Sequence, residues 1–159
     1  MIRIMPVRES PQTHQIASHE QTSLQPGLDA SMLVGVPSID NEHYALVFQL
    51  NRLLEQPGAL PESETFTDIL GKIGKHVQTH FESEEAYLMS CGMPTDEVEA
   101  HFRAHDKILE EYADLNLDLM NAKALAPADI LQTIKSWIVD HVLTYDVAIR
   151  KYARAAAGR

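Results

Sequence analysis

The stretch His80-Phe81-Glu82-Ser83-Glu84 is the centre of the sequence pattern that predicts the fold. Its histidine and its last glutamate are four residues apart, a spacing that places both side chains on one face of an α-helix. The same face is apolar along its length, through Phe66, Ile69, Leu70, Ile73, Val77, Phe81 and Leu88. An ionised glutamate on a buried face needs a positive charge beside it, and this face carries no lysine or arginine. A metal ion, with the histidine as a second ligand, would supply that charge.

Three further segments show the same helical periodicity, with prolines and glycines between them. The sequence predicts four helices, over residues 39–56, 61–90, 95–122 and 127–156. Short loops make consecutive helices antiparallel neighbours. The predicted fold is therefore all-α, an up-down-up-down antiparallel four-helix bundle.

The first 30 residues differ in character from the remainder of the chain. They are polar, contain Pro6, Pro11 and Pro26, and lack a sustained apolar period. We expect an extended or poorly ordered N-terminal arm over residues 1–30 and one bundle domain over residues 31–159. Residues 33–38 form an apolar strap that leads into the first helix.

The charge balance and the single cysteine limit the possible partners and the compartment. A formal net charge of −10 argues against nucleic acids and anionic membranes, which both require clustered lysine and arginine. Cys91 is the only cysteine, so no internal disulfide can form, and no apolar stretch approaches a signal sequence or a membrane span. We therefore expect a cytoplasmic protein.

Every predicted helix carries a histidine on its apolar face. His43 lies on the first helix, and His101 with His105 repeats the four-residue spacing on the third. On the fourth helix, His141 and Asp146 are five residues apart, which separates them by about 140° around a regular helix. Either the aspartate reaches sideways or the helix adjusts locally.

Together these positions supply five imidazoles and two carboxylates. This is more than one four-coordinate zinc ion needs, and the surplus indicates two metal ions bridged by the carboxylates. Donors rich in nitrogen and free of thiolate suit iron, copper or zinc, so the residues alone leave the metal open. The Glu-x-x-His motif of the common di-iron carboxylate bundles does not occur in the chain.

Four motifs taken together resemble the hemerythrin family in its single-domain bacterial form, the bacteriohemerythrins. They are the segment Gly35 to His43, the segment His80 to Glu85, His101-x-x-x-His105, and Trp137-x-x-x-His141-x-x-x-x-Asp146. The resemblance covers about residues 33 to 153. It implies a four-helix bundle around a non-haem di-iron centre that binds O2 reversibly.

The resemblance also implies a role for each matching residue. One iron would be held by His101, His105 and His141, the other by His43 and His80, with Glu84, Asp146 and an oxo or hydroxo group as bridges. An apolar pocket for O2 would be formed by Phe81, Trp137, Ile138 and Val142. His76, one turn before His80, departs from the family pattern and is an extra donor, a group behind the ligands or a polar plug.

These implications favour a binding protein for oxygen storage, delivery or sensing, rather than an enzyme. Three alternatives stay open. The first is a di-iron enzyme that reacts with nitric oxide or peroxide. The second is a sensor of oxygen or redox state, and the third, metal storage, is the weakest because two ions per chain make a poor store.

Overall fold

The structure is a computed structural model that describes residues 29–55, 65–121 and 123–157. Its four long helices are α1 (Pro37–Glu55), α2 (Phe66–Leu88), α3 (Thr95–Met120) and α4 (Pro127–Thr144), and a shorter helix, α5 (Ile149–Ala157), follows them. Helix α1 packs against α2 and α4, and α3 closes the ring by packing against the same two helices. The predicted all-α four-helix bundle is confirmed. Within the described ranges, no helix is long and apolar enough to cross a membrane.

The prediction of one uninterrupted helix over residues 127–156 is wrong at Tyr145. Helix α4 ends at Thr144, Tyr145 has a φ of −112° and a ψ of −54°, and a 3-10 turn over Asp146–Ala148 leads into α5. On a regular helix His141 and Asp146 would point in different directions, and the break allows both to point inward. It places a carboxylate oxygen of Asp146 2.9 Å from the Nε2 atom of His141.

Hydrogen bonds hold the strap against both α1 and α5. The carboxylate of Asp40 accepts hydrogen bonds from the backbone N–H groups of Val34 and Gly35, at 2.6 and 3.0 Å. Gly35 has a φ of +82°, a left-handed conformation that favours glycine. The guanidinium of Arg150 on α5 donates to the carbonyl of Leu33 and so holds the strap against α5. The predicted arm lies outside the described residues, apart from residues 29 and 30.

The apolar side chains in the bundle interior form two clusters. The larger one is built from Met32, Leu46, Val47, Leu50, Ile69, Leu70, Ile73, Val77, Phe81, Ile108, Ile130, Leu131, Ile134, Ile138 and Val142. The smaller one is built from Val34, Ile39, Leu88, Met93, Ile149 and Tyr152. Along α1, for example, Ile39 belongs to the smaller cluster and Leu46 to the larger, with His43 between them. The histidines and carboxylates singled out above therefore form a polar layer between two apolar clusters.

Candidate metal centre

The structure brings all seven predicted ligand residues together in one buried cluster. Their exposed fractions are 5% or less for His43, His80, Glu84, His101, His105, His141 and Asp146. Their donor atoms form two groups, and within each group all atoms lie within 4.8 Å of one another. Glu84 and Asp146 belong to both groups, the first of which adds His101, His105 and His141 and the second His43 and His80.

Five separate elements supply these side chains. Helix α2 contributes His80 and Glu84, α3 contributes His101 and His105, and in both helices the four-residue spacing turns the pair toward the bundle interior. Helices α1 and α4 contribute one histidine each, and the 3-10 turn contributes the aspartate. The cluster therefore depends on the whole bundle, since no single helix holds more than two of its members.

The Nε2 atoms of three histidines lie around the carboxylate of Asp146. Its Oδ1 atom lies 3.0 Å from the Nε2 atom of His101 and 2.9 Å from that of His141, while its Oδ2 atom lies 3.0 Å from the Nε2 atom of His43. The Nε2 atoms of His101 and His141 are themselves 3.1 Å apart. Despite these distances, neither Asp146 oxygen makes a hydrogen bond of acceptable geometry. Buried acceptors without hydrogen bonds are costly, and a cation beside them would remove that cost.

Glu84 differs in that one of its carboxylate oxygens is hydrogen-bonded, to His105, while the other is unpaired. Its Oε2 atom lies 3.2 Å from the Nε2 atom of His105 and 3.3 Å from that of His101, and its Oε1 atom has no hydrogen-bond partner. Both ring nitrogens of the fully buried His43 also lack a hydrogen bond of acceptable geometry. These residues fit a metal centre, because metal ions would satisfy the unpaired donor atoms.

The electrostatics of the cluster favour a cation. Burial alone would raise the pKa of Glu84, but the neighbouring imidazoles of His101 and His105 lower it to about 2. Burial would also raise the pKa of Asp146, yet the three imidazoles around it hold that pKa well below its usual value. Burial alone would lower the pKa of His101, but the two carboxylates raise it to about 9. Both carboxylates are therefore ionised at neutral pH, and a metal ion must displace a proton from His101.

Two glutamates behind the cluster were missed by the sequence analysis. Glu42 on α1 lies 2.8 Å from the Nδ1 atom of His80, and Glu85 on α2 lies 2.9 Å from the Nδ1 atom of His105. A carboxylate that accepts from Nδ1–H leaves Nε2 free to bind a metal and fixes the orientation of the ring. Each glutamate is about one-third exposed, which explains why the apolar pattern does not reveal it.

The residues expected to form an apolar pocket belong to the larger apolar cluster or pack against it, and this apolar cluster meets the donor residues at Phe81. Phe81, Ile138 and Val142 are buried, and the partly buried Trp137 packs against the same larger cluster. The ring of Phe81 stacks on that of His105, with the centroids 3.8 Å apart and the planes 9° from parallel. One side of the donor set is thus apolar. His76 is partly buried and belongs to neither group of donors.

Comparison with known proteins assigns the family. The model of the hemerythrin HHE cation binding domain matches residues 34–146. The chain belongs to the hemerythrin family. The match begins in the strap and ends at Asp146, so it contains all seven residues of the cluster.

A curated hemerythrin relative also matches this chain. It is the bacteriohemerythrin of Methylococcus capsulatus, which is 26% identical over 107 residues, or 67% of this chain and 79% of the relative. No solved structure matches the chain. Family membership and the buried cluster of histidines and carboxylates both fit a metal site.

Proposed function

We propose that this site holds two iron ions and binds O2 reversibly, for oxygen storage, delivery or sensing. One observation carries the proposal: two groups of donors share Glu84 and Asp146, as expected for two metal ions with bridging carboxylates. Nitrogen-rich donors without thiolate suit iron, and membership of the hemerythrin family supports that choice over copper or zinc.

The two groups of donors are unequal. Apart from the shared carboxylates, one contains three histidines and the other contains only His43 and His80. The second position therefore offers fewer protein ligands and leaves room for a small exogenous molecule. When bound, ferrous ions would supply the reversible redox chemistry that O2 binding needs.

The apolar residues beside the site exclude water. Phe81, Ile138 and Val142 are each 5% exposed or less, so protons and anions have no polar path through them. A dry environment favours reversible binding over irreversible oxidation. None of these side chains, nor Trp137, is an acid, a base or a nucleophile, which supports a binding protein rather than an enzyme.

The decisive experiment is metal analysis of the freshly purified protein, combined with absorption spectra of the reduced form before and after exposure to O2. We expect two irons per chain and a charge-transfer band that appears with O2 and disappears when O2 is removed. Zinc, or no metal, would refute the site assignment. Immediate and irreversible conversion to the ferric spectrum would favour the redox-enzyme or redox-sensor alternatives.

Glu84→Ala and His101→Ala provide the matched test of the ligands. Each removes a proposed metal ligand whose donor atom lies in the buried cluster, so we expect loss of metal together with lower stability. Glu82→Ala, on the exposed face of the same helix as Glu84, is the control and should retain both irons.

A further inference from the structure

A groove between α3 and α4 contains a cavity of about 450 Å³, and apart from His141 the charged and polar residues that line it have no role in the proposed function. Its size lies within the range of pockets that bind small organic molecules. The two small side chains of Ala100 and Ala104 leave the space open on the α3 side. From α4 and the turn after it, the aromatic rings of Trp137 and Tyr145 face the same space. The groove therefore suits a flat ring that can stack on an aromatic side chain.

The groove adjoins the donor cluster at His141. His141 lines it, so one side chain both faces the groove and presents its Nε2 atom to the donor cluster. The ring of Tyr145 stacks on that of His141 with centroids 5.2 Å apart, and lies 5.6 Å from the ring centroid of His101. A molecule in the groove would lie beside Tyr145 and His141, and so next to an imidazole of the donor cluster.

The two rims of the groove differ in their polar groups. On α4, Asp140 and Thr144 are four residues apart on one face and offer a carboxylate and a hydroxyl. On α3, Arg103 and Lys107 offer hydrogen-bond donors. A ligand with oxygen atoms at opposite edges of its ring would donate to the α4 rim and accept from the α3 rim.

The charges of the lining point to an uncharged ligand. Two cations, Arg103 and Lys107, are balanced by two anions, Glu111 and Asp140. The ion pair of Arg103 with Glu99 and that of Lys107 with Glu111 each span 3.7 Å at exposed positions, so both are weak and can re-pair with a ligand.

We propose that the groove binds a para-quinol, held between the aromatic rings and against His141, as an electron donor to the metal site. Oxidation of one quinol to the quinone releases two electrons and two protons. In the iron-loaded protein the electrons would reduce two ferric ions to ferrous ions, and the protons would pass by way of the carboxylate of Asp140 to water. The electron-donor role rests on the proposed di-iron function, whereas binding in the groove does not.

Binding can be measured through Trp137, which is the only tryptophan of the chain. Tetramethylhydroquinone is titrated under argon into the reduced, iron-loaded protein, and the tryptophan fluorescence is recorded. We expect saturable quenching. The titration needs no iron chemistry, so it gives the same result if the proposed function fails and the protein carries another metal.

Ala104→Phe fills the groove and should weaken quinol binding by about tenfold or more, since the ligand loses its contacts. Ala113→Phe is the matched control, because it makes the same change at an exposed position of α3 that does not line the groove. If Ala104→Phe lowers the helix content or the metal content, Ala100→Leu replaces it as the filled variant. Unchanged binding in a folded, filled variant would overturn the proposal.

Electron donation is tested with the ferric protein under argon, by following the loss of its absorption after mixing. We expect the quinol to reduce wild type and Ala113→Phe at equal rates and the filled variant about tenfold more slowly, while dithionite reduces all three equally. Equal quinol rates in all three proteins would overturn the electron-donor role. Riboflavin serves as a second flat ring, and tighter groove-dependent binding of riboflavin than of the quinol would overturn the choice of ligand.

Discussion

Replacing Glu85 with alanine should weaken iron binding without removing any atom of the cluster itself. The carboxylate of Glu85 lies 2.9 Å from the Nδ1 atom of His105, which is itself 1% exposed. A hydrogen bond to a charged group contributes about 1.5–3 kcal/mol. Because the glutamate is 32% exposed, water screens part of this interaction. Loss of such a carboxylate behind a metal ligand typically lowers metal affinity by about 10- to 100-fold, and we expect the lower half of that range.

The assay is competition for ferrous iron under argon between the protein and a coloured chelator, which gives the iron affinity of each variant. Glu85→Gln keeps an oxygen that can accept from Nδ1–H but loses the charge, so its affinity should fall less than that of Glu85→Ala. Glu82→Ala is the control, because Glu82 lies on the exposed face of the same helix, where its carboxylate accepts a hydrogen bond from the side chain of Gln78. The reasoning fails if Glu85→Ala binds iron like wild type, or if Glu82→Ala loses as much affinity.

Three further predictions concern packing, protons and the apolar pocket. A Cβ atom at Gly74 would lie 2.5 Å from the Cε1 atom of Tyr112, so Gly74→Ala should lower the free energy of unfolding by about 1–3 kcal/mol in urea despite its better helix propensity. The same substitution in a Tyr112→Ala background should stabilise, and a stabilised single variant would contradict the packing argument. Because the folded pKa of His101 is raised to about 9, its contribution to the stability of chelator-treated protein is complete below about pH 6.5 and is lost as the pH rises toward 9. Urea unfolding across this range should therefore show falling stability for the chelated protein, and a rise would refute the pairing of His101 with the carboxylates. Ile138→Asn should leave both irons bound but shorten the lifetime of the oxygenated protein, as measured by its autoxidation rate, and an unchanged rate would move the O2 position away from Ile138.

The donor set could be predicted because a buried charge leaves a clear mark on an amphipathic helix. His80, Glu84, His101 and His105 interrupt apolar faces at helical spacing, and an interruption of that kind needs a partner. The bundle then follows, since four helices that each carry polar residues on an apolar face can bury these residues only by packing them against one another. The identity of the metal and its ligand chemistry do not follow from spacing, because iron, copper and zinc accept the same donors.

Glu42 and Glu85 were missed because they lie off the apolar faces. Each is adjacent in sequence to a cluster residue, and therefore lies about 100° around the helix, at the seam with a neighbouring helix. Their partners are 38 and 20 residues away, so no local pattern connects them. A glutamate directly beside an inward-facing ligand residue is the signal that could have indicated them.

A local adjustment of the fourth helix was one of two outcomes predicted from the sequence, but its position at Tyr145 was not predicted. The five-residue spacing showed that a regular helix could not turn both His141 and Asp146 inward, and the structure resolves this by ending α4 at Thr144. No glycine or proline marks the position, and Tyr145 and Val147 are compatible with a continuous helix. The sequence therefore indicates that a regular helix cannot turn both residues inward, but the position of the break depends on tertiary packing around the aspartate.

The polar layer between the two apolar clusters has a consequence for the rate at which a bound metal exchanges. Its donors come from α1, α2, α3, α4 and the following turn, and all are 5% exposed or less. A chelator in solution cannot reach them while the helices stay packed, so release requires a sub-global opening of the bundle. Metal exchange would then proceed no faster than this opening, whatever the strength of the chelator. The exchange half-life would therefore report the rate at which the bundle opens, and it would have the same value for weak and strong chelators in excess.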